Sequence, residues 1–154
     1  MLSENTQFDL ILIFVMLITS ALICASDVAL RKISNIYGVV ILTCSILLLS
    51  ESKQGAVEHL LSAVIVCVVT LIAFGFRILG GGDVKLMIAF SIAIPFHYLG
   101  VAIFNMAIIG GVLAMFYLLK YRIFKLVPES GEMGLPYGLA ISFGFFNAIC
   151  NLYI

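Results

Sequence analysis

Long apolar stretches separated by brief polar interruptions fill the chain, at residues 8–25, 36–50, 56–79, 84–95, 98–119 and 135–153. A helix needs roughly 20 apolar residues to cross a bilayer, fewer where polar side chains at its ends reach back to the interface. The pattern therefore predicts six membrane-spanning helices, the fourth of them short. Pro95 lies between the fourth and fifth, bars a straight continuation of helix, and predicts a tight turn. The expected fold is all-α: a polytopic membrane bundle of about six transmembrane helices, forming one membrane-embedded domain over residues 1–154.

Composition agrees with the pattern. Of the 154 residues, 64% are hydrophobic and 10% charged, against about 45–50% and about 25% in soluble domains. So small a soluble protein has too much surface for its volume to hide this much apolar area. The formal net charge of zero gives no basic field for nucleic acid. The cysteines, Cys24, Cys44, Cys67 and Cys150, all lie within apolar runs and form no C-x-x-C pair, so they read as small hydrophobes rather than metal ligands or a disulfide framework. The first apolar stretch follows Glu4 and Asp9 with no Lys or Arg before it, the reverse of a secretory leader. Ala21-Leu22-Ile23-Cys24 is faintly like a lipoprotein cleavage site, but the bulky Ile23 opposes that reading, and the stretch is expected to remain as a permanent helix.

Charge sets an expected orientation. Arg31, Lys32, Arg77, Lys85, Lys120, Arg122 and Lys125 fall in the first, third and fifth connections, and only Lys53 falls elsewhere. Positive charge concentrates on the cytoplasmic side of membrane proteins. The seven cations therefore predict a multi-pass protein of the cytoplasmic (inner) membrane with both termini outside.

Ionisable groups at membrane depth are costly and mark candidate function. Asp27 closes the first apolar segment and Asp83 opens the fourth, so both are expected at the cytoplasmic ends of their helices. Two inward side chains on neighbouring helices, about 8–10 Å apart, can meet. Two carboxylates in one site do not both ionise easily, which leaves one charged and one neutral. The charged member accepts a proton from water, and the neutral member donates to a scissile carbonyl. The proton belongs to the pair, so sequence assigns neither role to a named residue. Gly80-Gly81-Gly82, just before Asp83, predicts an open turn with accessible backbone, against which an extended substrate could pair.

Plainer readings exist for each residue. Asp83 after glycine suits a helix cap, and Asp27 suits an interfacial pair with Arg31 four residues on. Arg31, Lys32, Arg77 and Lys85 suit topology anchors. His59 and His97 suit loop-edge positions on the outer side, and Glu129 and Glu132 a solvated loop. Gly110-Gly111 suits close helix packing. No nucleotide-binding glycine motif, H-E-x-x-H or G-x-S-x-G occurs. Besides peptide hydrolysis, the two acids are compatible with a proton relay in a small transporter or secretion-machine subunit, although transporter sites lie near the midplane.

Three elements together resemble the type IV prepilin peptidases. Gly80-Gly81-Gly82-Asp83, with Lys85 beyond, resembles their GxGD motif. Asp27 followed by Arg31, Ile33 and Asn35 resembles their first aspartate and its R-x-I-P-N, with Ser34 in place of the proline. Pro136-Tyr137-Gly138 and Ala140 resemble their P-Y-G-x-A. The resemblance implies an aspartyl endopeptidase that removes the short basic leader of prepilin-like or pseudopilin substrates at the cytoplasmic membrane face. Asp27 and Asp83 would be the catalytic pair, and Gly80 and Gly82 would shape the site. Pro136, Tyr137 and Gly138 would border the substrate cleft, with Lys85 and Arg31 orienting the aspartates or a substrate carboxylate. No metal or organic cofactor is implied. The long forms' C-x-x-C domain has no counterpart in the sequence, which resembles the short forms of Flp/Tad-type pili. N-methylation is therefore not expected. The implied partners are the prepilin, membrane lipid and pilus or secretion machinery, with no nucleic acid.

Overall fold

A computed structural model describes residues 4–51, 55–120 and 135–153. Among these residues the secondary structure is helical, with no strand, and comprises α1 (Glu4–Leu30), α2 (Asn35–Glu51), α3 (Ala56–Gly75), α4 (Gly81–Ser91), α5 (Phe96–Leu118) and α6 (Tyr137–Tyr153). Every predicted segment is a helix. Three are long and apolar enough to cross a membrane: Thr6–Leu30, Ala56–Gly75 and Phe96–Leu118. The shorter Asn35–Ser50 is apolar too. Lys53, Arg122, Lys125, Glu129 and Glu132 lie outside the described residues.

Burial along α3 shows what solvent the fold is built for. His59, Ser62, Val66 and Thr70 form its buried stripe, while Val57, Leu60, Val64, Val69 and Ile72 are exposed, Val57 by 77%. A helix in water places these the other way round. Small and polar groups turned inward with aliphatic groups turned outward is the arrangement that lipid favours. Thr70 donates to the Val66 carbonyl at 2.7 Å, so this inward hydroxyl is satisfied within its own helix.

α4 is the innermost helix. Its 11 residues rise about 16 Å, roughly half the apolar thickness of a bilayer, and Val84, Leu86, Met87, Ala89, Phe90 and Ser91 are buried. It packs on α2, α3 and α6, and Phe90 meets Phe145 of α6 with ring centroids 6.0 Å apart. α1 packs on α2 and α6. The turn expected at Pro95 is present. Ala93 and Ile94 donate to the carbonyls of Phe90 and Ser91, and Pro95 caps the start of α5 in extended conformation.

Two expectations are corrected, and a third in part. α3 stops at Gly75, short of residue 79, because Arg77 adopts φ 58°. The Arg77 and Ile78 amides then close onto the carbonyls of Phe74 and Ala73, both at 2.9 Å, which is a Schellman ending. His59 belongs to no loop edge: it is fully buried in α3, with Nδ1 3.0 Å from the Ile92 carbonyl. The close packing expected at Gly110-Gly111 is present at Gly110 and not at Gly111, and among the described glycines the tightest approach is at Gly144. A β-carbon at Gly144 of α6 would stand 2.5 Å from the Met106 backbone of α5, whereas one at Gly110 would meet only the Ala140 side chain at 3.6 Å.

Candidate active site

The last turn of α1 carries Asp27. Arg31 follows the helix in the left-handed region, φ 52°, and donates its N–H to the Asp27 carbonyl at 3.1 Å, closing the helix there. The Asp27 carboxylate is 7% exposed. Its Oδ2 accepts the Gly138 N–H at 2.8 Å, from 111 residues away. Gly138 stands in the first turn of α6, where amides have no partner within their own helix and the helix dipole favours a negative charge. Asp27 thus caps α6 from another helix.

This contact explains the glycine. A β-carbon at Gly138 would lie 2.8 Å from Asp27 Oδ2 and 2.9 Å from Ile33 Cδ1. Neither distance is tolerable, so a side chain here would push the carboxylate aside. Tyr137 lines the cavity described below, whereas Pro136 is buried and does not.

Asp83 sits in the first turn of α4. The expected open glycine turn is corrected: Gly81 and Gly82 are already helical and only Gly80 is extended. The three glycines have close but mostly ordinary surroundings. A β-carbon at Gly82 would touch Ile33 at 3.4 Å, and one at Gly80 would meet Asp83 Oδ2 at 3.1 Å. Asp83 reaches back to accept the Gly80 N–H at 3.3 Å, while the Val84 N–H donates to the Gly80 carbonyl at 3.1 Å. The capping reading of Asp83 is therefore correct as far as it goes.

Asp27 and Asp83 line one cavity of about 650 Å³, together with Arg31, Lys32, Ile33, the three glycines, Leu135 and Tyr137. α1 and α4 are not the closely packed neighbours that sequence reasoning assumed. α2 and α6 each pack on both of them, and the acids face each other across the space left between. Burial pushes the Asp83 carboxyl up to about 6; the Gly80 amide opposes this and the negative charge of Asp27 adds to it.

Two of the cations near the site, Arg31 and Lys85, are held by side-chain partners. Arg31 Nη2 donates to the Tyr117 hydroxyl at 3.0 Å, and its guanidinium carbon lies 5.4 Å from the centre of that ring. Lys85 Nζ donates to Asn35 Oδ1 at 3.1 Å, tying α4 to the start of α2. Ser26 Oγ donates to the Lys32 carbonyl at 2.6 Å and braces the α1–α2 turn. Ile33 is the residue that sequence reasoning undervalued. It stands against the α-carbons of both Gly82 and Gly138, so the three sequence elements converge on one side chain. Its spacing from Asp27 was visible in the sequence, but nothing there indicated Tyr117 as the partner of Arg31.

Among the described residues no three His, Cys, Asp or Glu side chains gather as a metal-binding group. The four cysteines are free thiols. No curated protein and no solved structure matches the chain. The profile of the type IV leader peptidase family matches residues 12–115, a stretch that contains both aspartates and ends before Pro136-Tyr137-Gly138.

Proposed function

The chain belongs to the type IV leader peptidase family, and on that premise we propose that it is a membrane aspartyl endopeptidase that removes the N-terminal leader of prepilin-like proteins, with Asp27 and Asp83 as its catalytic pair. One observation carries the assignment of the pair: two carboxylates, on helices that other helices hold apart, line a single cavity. Each acid also caps a helix start, Asp27 that of α6 and Asp83 that of α4, and a shared cavity gives water and a peptide bond access to both.

The chemistry follows from the different settings of the acids. Asp27 takes the Gly138 amide on one oxygen, and a donor of this kind stabilises negative charge. Asp83, pushed up to about 6 by burial, holds the proton of the pair. Water between them gives a proton to Asp27 as its oxygen attacks the scissile carbonyl carbon. Asp83 donates to the carbonyl oxygen, which becomes a hydroxyl in the tetrahedral intermediate. Collapse breaks the C–N bond: the departing amine takes the proton held by Asp27, and one hydroxyl of the intermediate returns its proton to Asp83 as it becomes the carbonyl of the new carboxyl group.

In this reading all six helices cross or enter the cytoplasmic membrane, with the aspartate end of the bundle cytoplasmic and both termini outside. Partners are the prepilin, surrounding lipid and the assembly machinery of a pilus or secretion system, of which the Flp/Tad type fits the short form.

The test is co-expression with a Flp-type prepilin in a host lacking its own leader peptidase, read by gel mobility and N-terminal sequencing. Asp27→Asn and Asp83→Asn should each abolish leader loss, by a factor of about 10³ or more, while both variants accumulate in the membrane like wild type. Normal processing by either variant removes that acid from the mechanism.

A further inference from the structure

We infer that the groove between α2 and α4 seats apolar side chains of the cleaved polypeptide beside the scissile bond. This rests on the peptidase reading above and adds a specificity site to it.

The groove has a volume of about 410 Å³, within the range of about 300–1,000 Å³ typical of ligand sites. Val39 and Leu42 of α2 and Leu86 and Ala89 of α4 form its walls. Ile33 and Gly82 line both this groove and the aspartate cavity. A chain lying between the two acids is therefore separated from the groove only by the wall that Ile33 and Gly82 form.

The lining decides what kind of chain enters. The aspartate cavity carries two acids flanked by Arg31 and Lys32, whereas the groove has Lys85 as its one charged lining residue. That ammonium is engaged by Asn35 at the rim. A charged or strongly polar segment finds no partner deeper in, and its desolvation would go uncompensated. Apolar side chains lose nothing by entering and gain the burial of aliphatic surface. The polar cavity and the apolar groove thus divide the substrate between them: backbone chemistry in one, side-chain selection in the other.

Gly38 makes the inference testable without disturbing the fold. It lines the groove, yet a β-carbon on it would meet nothing within 4 Å. A β-carbon there displaces no protein atom, and a larger side chain on it takes up space in the groove.

The experiment co-expresses wild type, Gly38→Ala or Gly38→Leu with Flp-type prepilins in which the apolar residue beside the scissile bond is Phe, Leu or Ala. Initial processing rates and the membrane level of each enzyme variant are recorded. Gly38→Leu should slow the Phe and Leu prepilins about tenfold or more and leave the Ala prepilin within about twofold of wild type, with Gly38→Ala between. Equal, wild-type rates for all three prepilins overturn the inference and make the groove a place for lipid chains. Uniform slowing of all three overturns it as well, since a size filter must discriminate. Failure of wild type to cut any prepilin strikes the peptidase reading itself, a different outcome from either.

Discussion

At the scale of single residues, the site depends on two hydrogen bonds from backbone amides to carboxylates and on the glycines that permit them. The Gly138 amide reaches Asp27 only because no β-carbon intervenes. Gly138→Ala places a methyl group 2.8 Å from the Asp27 oxygen, so the carboxylate must rotate away. Misplacing a reacting group by about 1 Å costs around a hundredfold in rate. We expect kcat for prepilin cleavage to fall by that order; an unchanged kcat would show that Asp27 acts from another orientation. Asp83 offers a second handle. An unburied aspartate titrates near 3.9, and burial pushes Asp83 to about 6. Its proton is present below pH 6 and lost as pH rises through it. Since that proton is the one donated to the carbonyl, kcat/KM should decline on the alkaline side with a midpoint near 6. A profile flat from pH 5 to 8 would mean that Asp83 is not the donor.

At the scale of helices, the positions that hold the bundle are those where backbones meet. A β-carbon on Gly144 would come within 2.5 Å of the Met106 Cα and N atoms, and a backbone cannot swing aside as a side chain does. Gly144→Ala must part α5 from α6, near the point where Asn105 Nδ2 donates to Asn147 Oδ1 at 3.1 Å. Overpacking of this kind costs about 1–3 kcal/mol, and thermal unfolding of the purified protein in detergent should show the loss. Gly111→Ala, with nothing within 4 Å of the new carbon, should unfold like wild type. The contrast also marks the reach of sequence reading. Six helices were legible because apolar runs of helical length have few other uses, and Pro95 was legible because proline lacks an amide hydrogen. Gly110-Gly111 and Gly144 were not separable, because a glycine declares room for a close approach without naming what approaches. That both aspartates stand at helix ends was legible too. Their setting was not: that α2 and α6 separate α1 from α4, that Gly81 and Gly82 are helical, and that His59 is buried all depend on contacts between segments distant in the chain.

At the scale of the whole molecule, a single axis organises charge, chemistry and burial. Arg31, Lys32, Arg77, Lys85 and Lys120 stand at the ends of helices, or in the first turn, on the side where α1, α3 and α5 finish and α4 begins. Both aspartates are on this side, and the Arg31–Tyr117 contact ties the ends of α1 and α5 together there. The opposite end carries Glu58 and His97, 3.9 Å apart. Between the two ends, exposed leucines, valines, isoleucines and phenylalanines cover the bundle, a surface suited to lipid and costly in water. Cations resist transfer across a membrane, so the proposed orientation puts the cation-bearing end on the cytoplasmic side, where a leader would be cut before export. A membrane-impermeant maleimide tests this orientation directly. In a variant whose four native cysteines are replaced by serine or alanine, Lys32→Cys, beside the aspartate cavity, should label only after the membrane is opened to the cytoplasmic side. His97→Cys should label in intact cells stripped of their outer barrier. The reverse pattern would turn the bundle over and put the aspartates on the outer face, where a leader peptidase acting before export has no substrate.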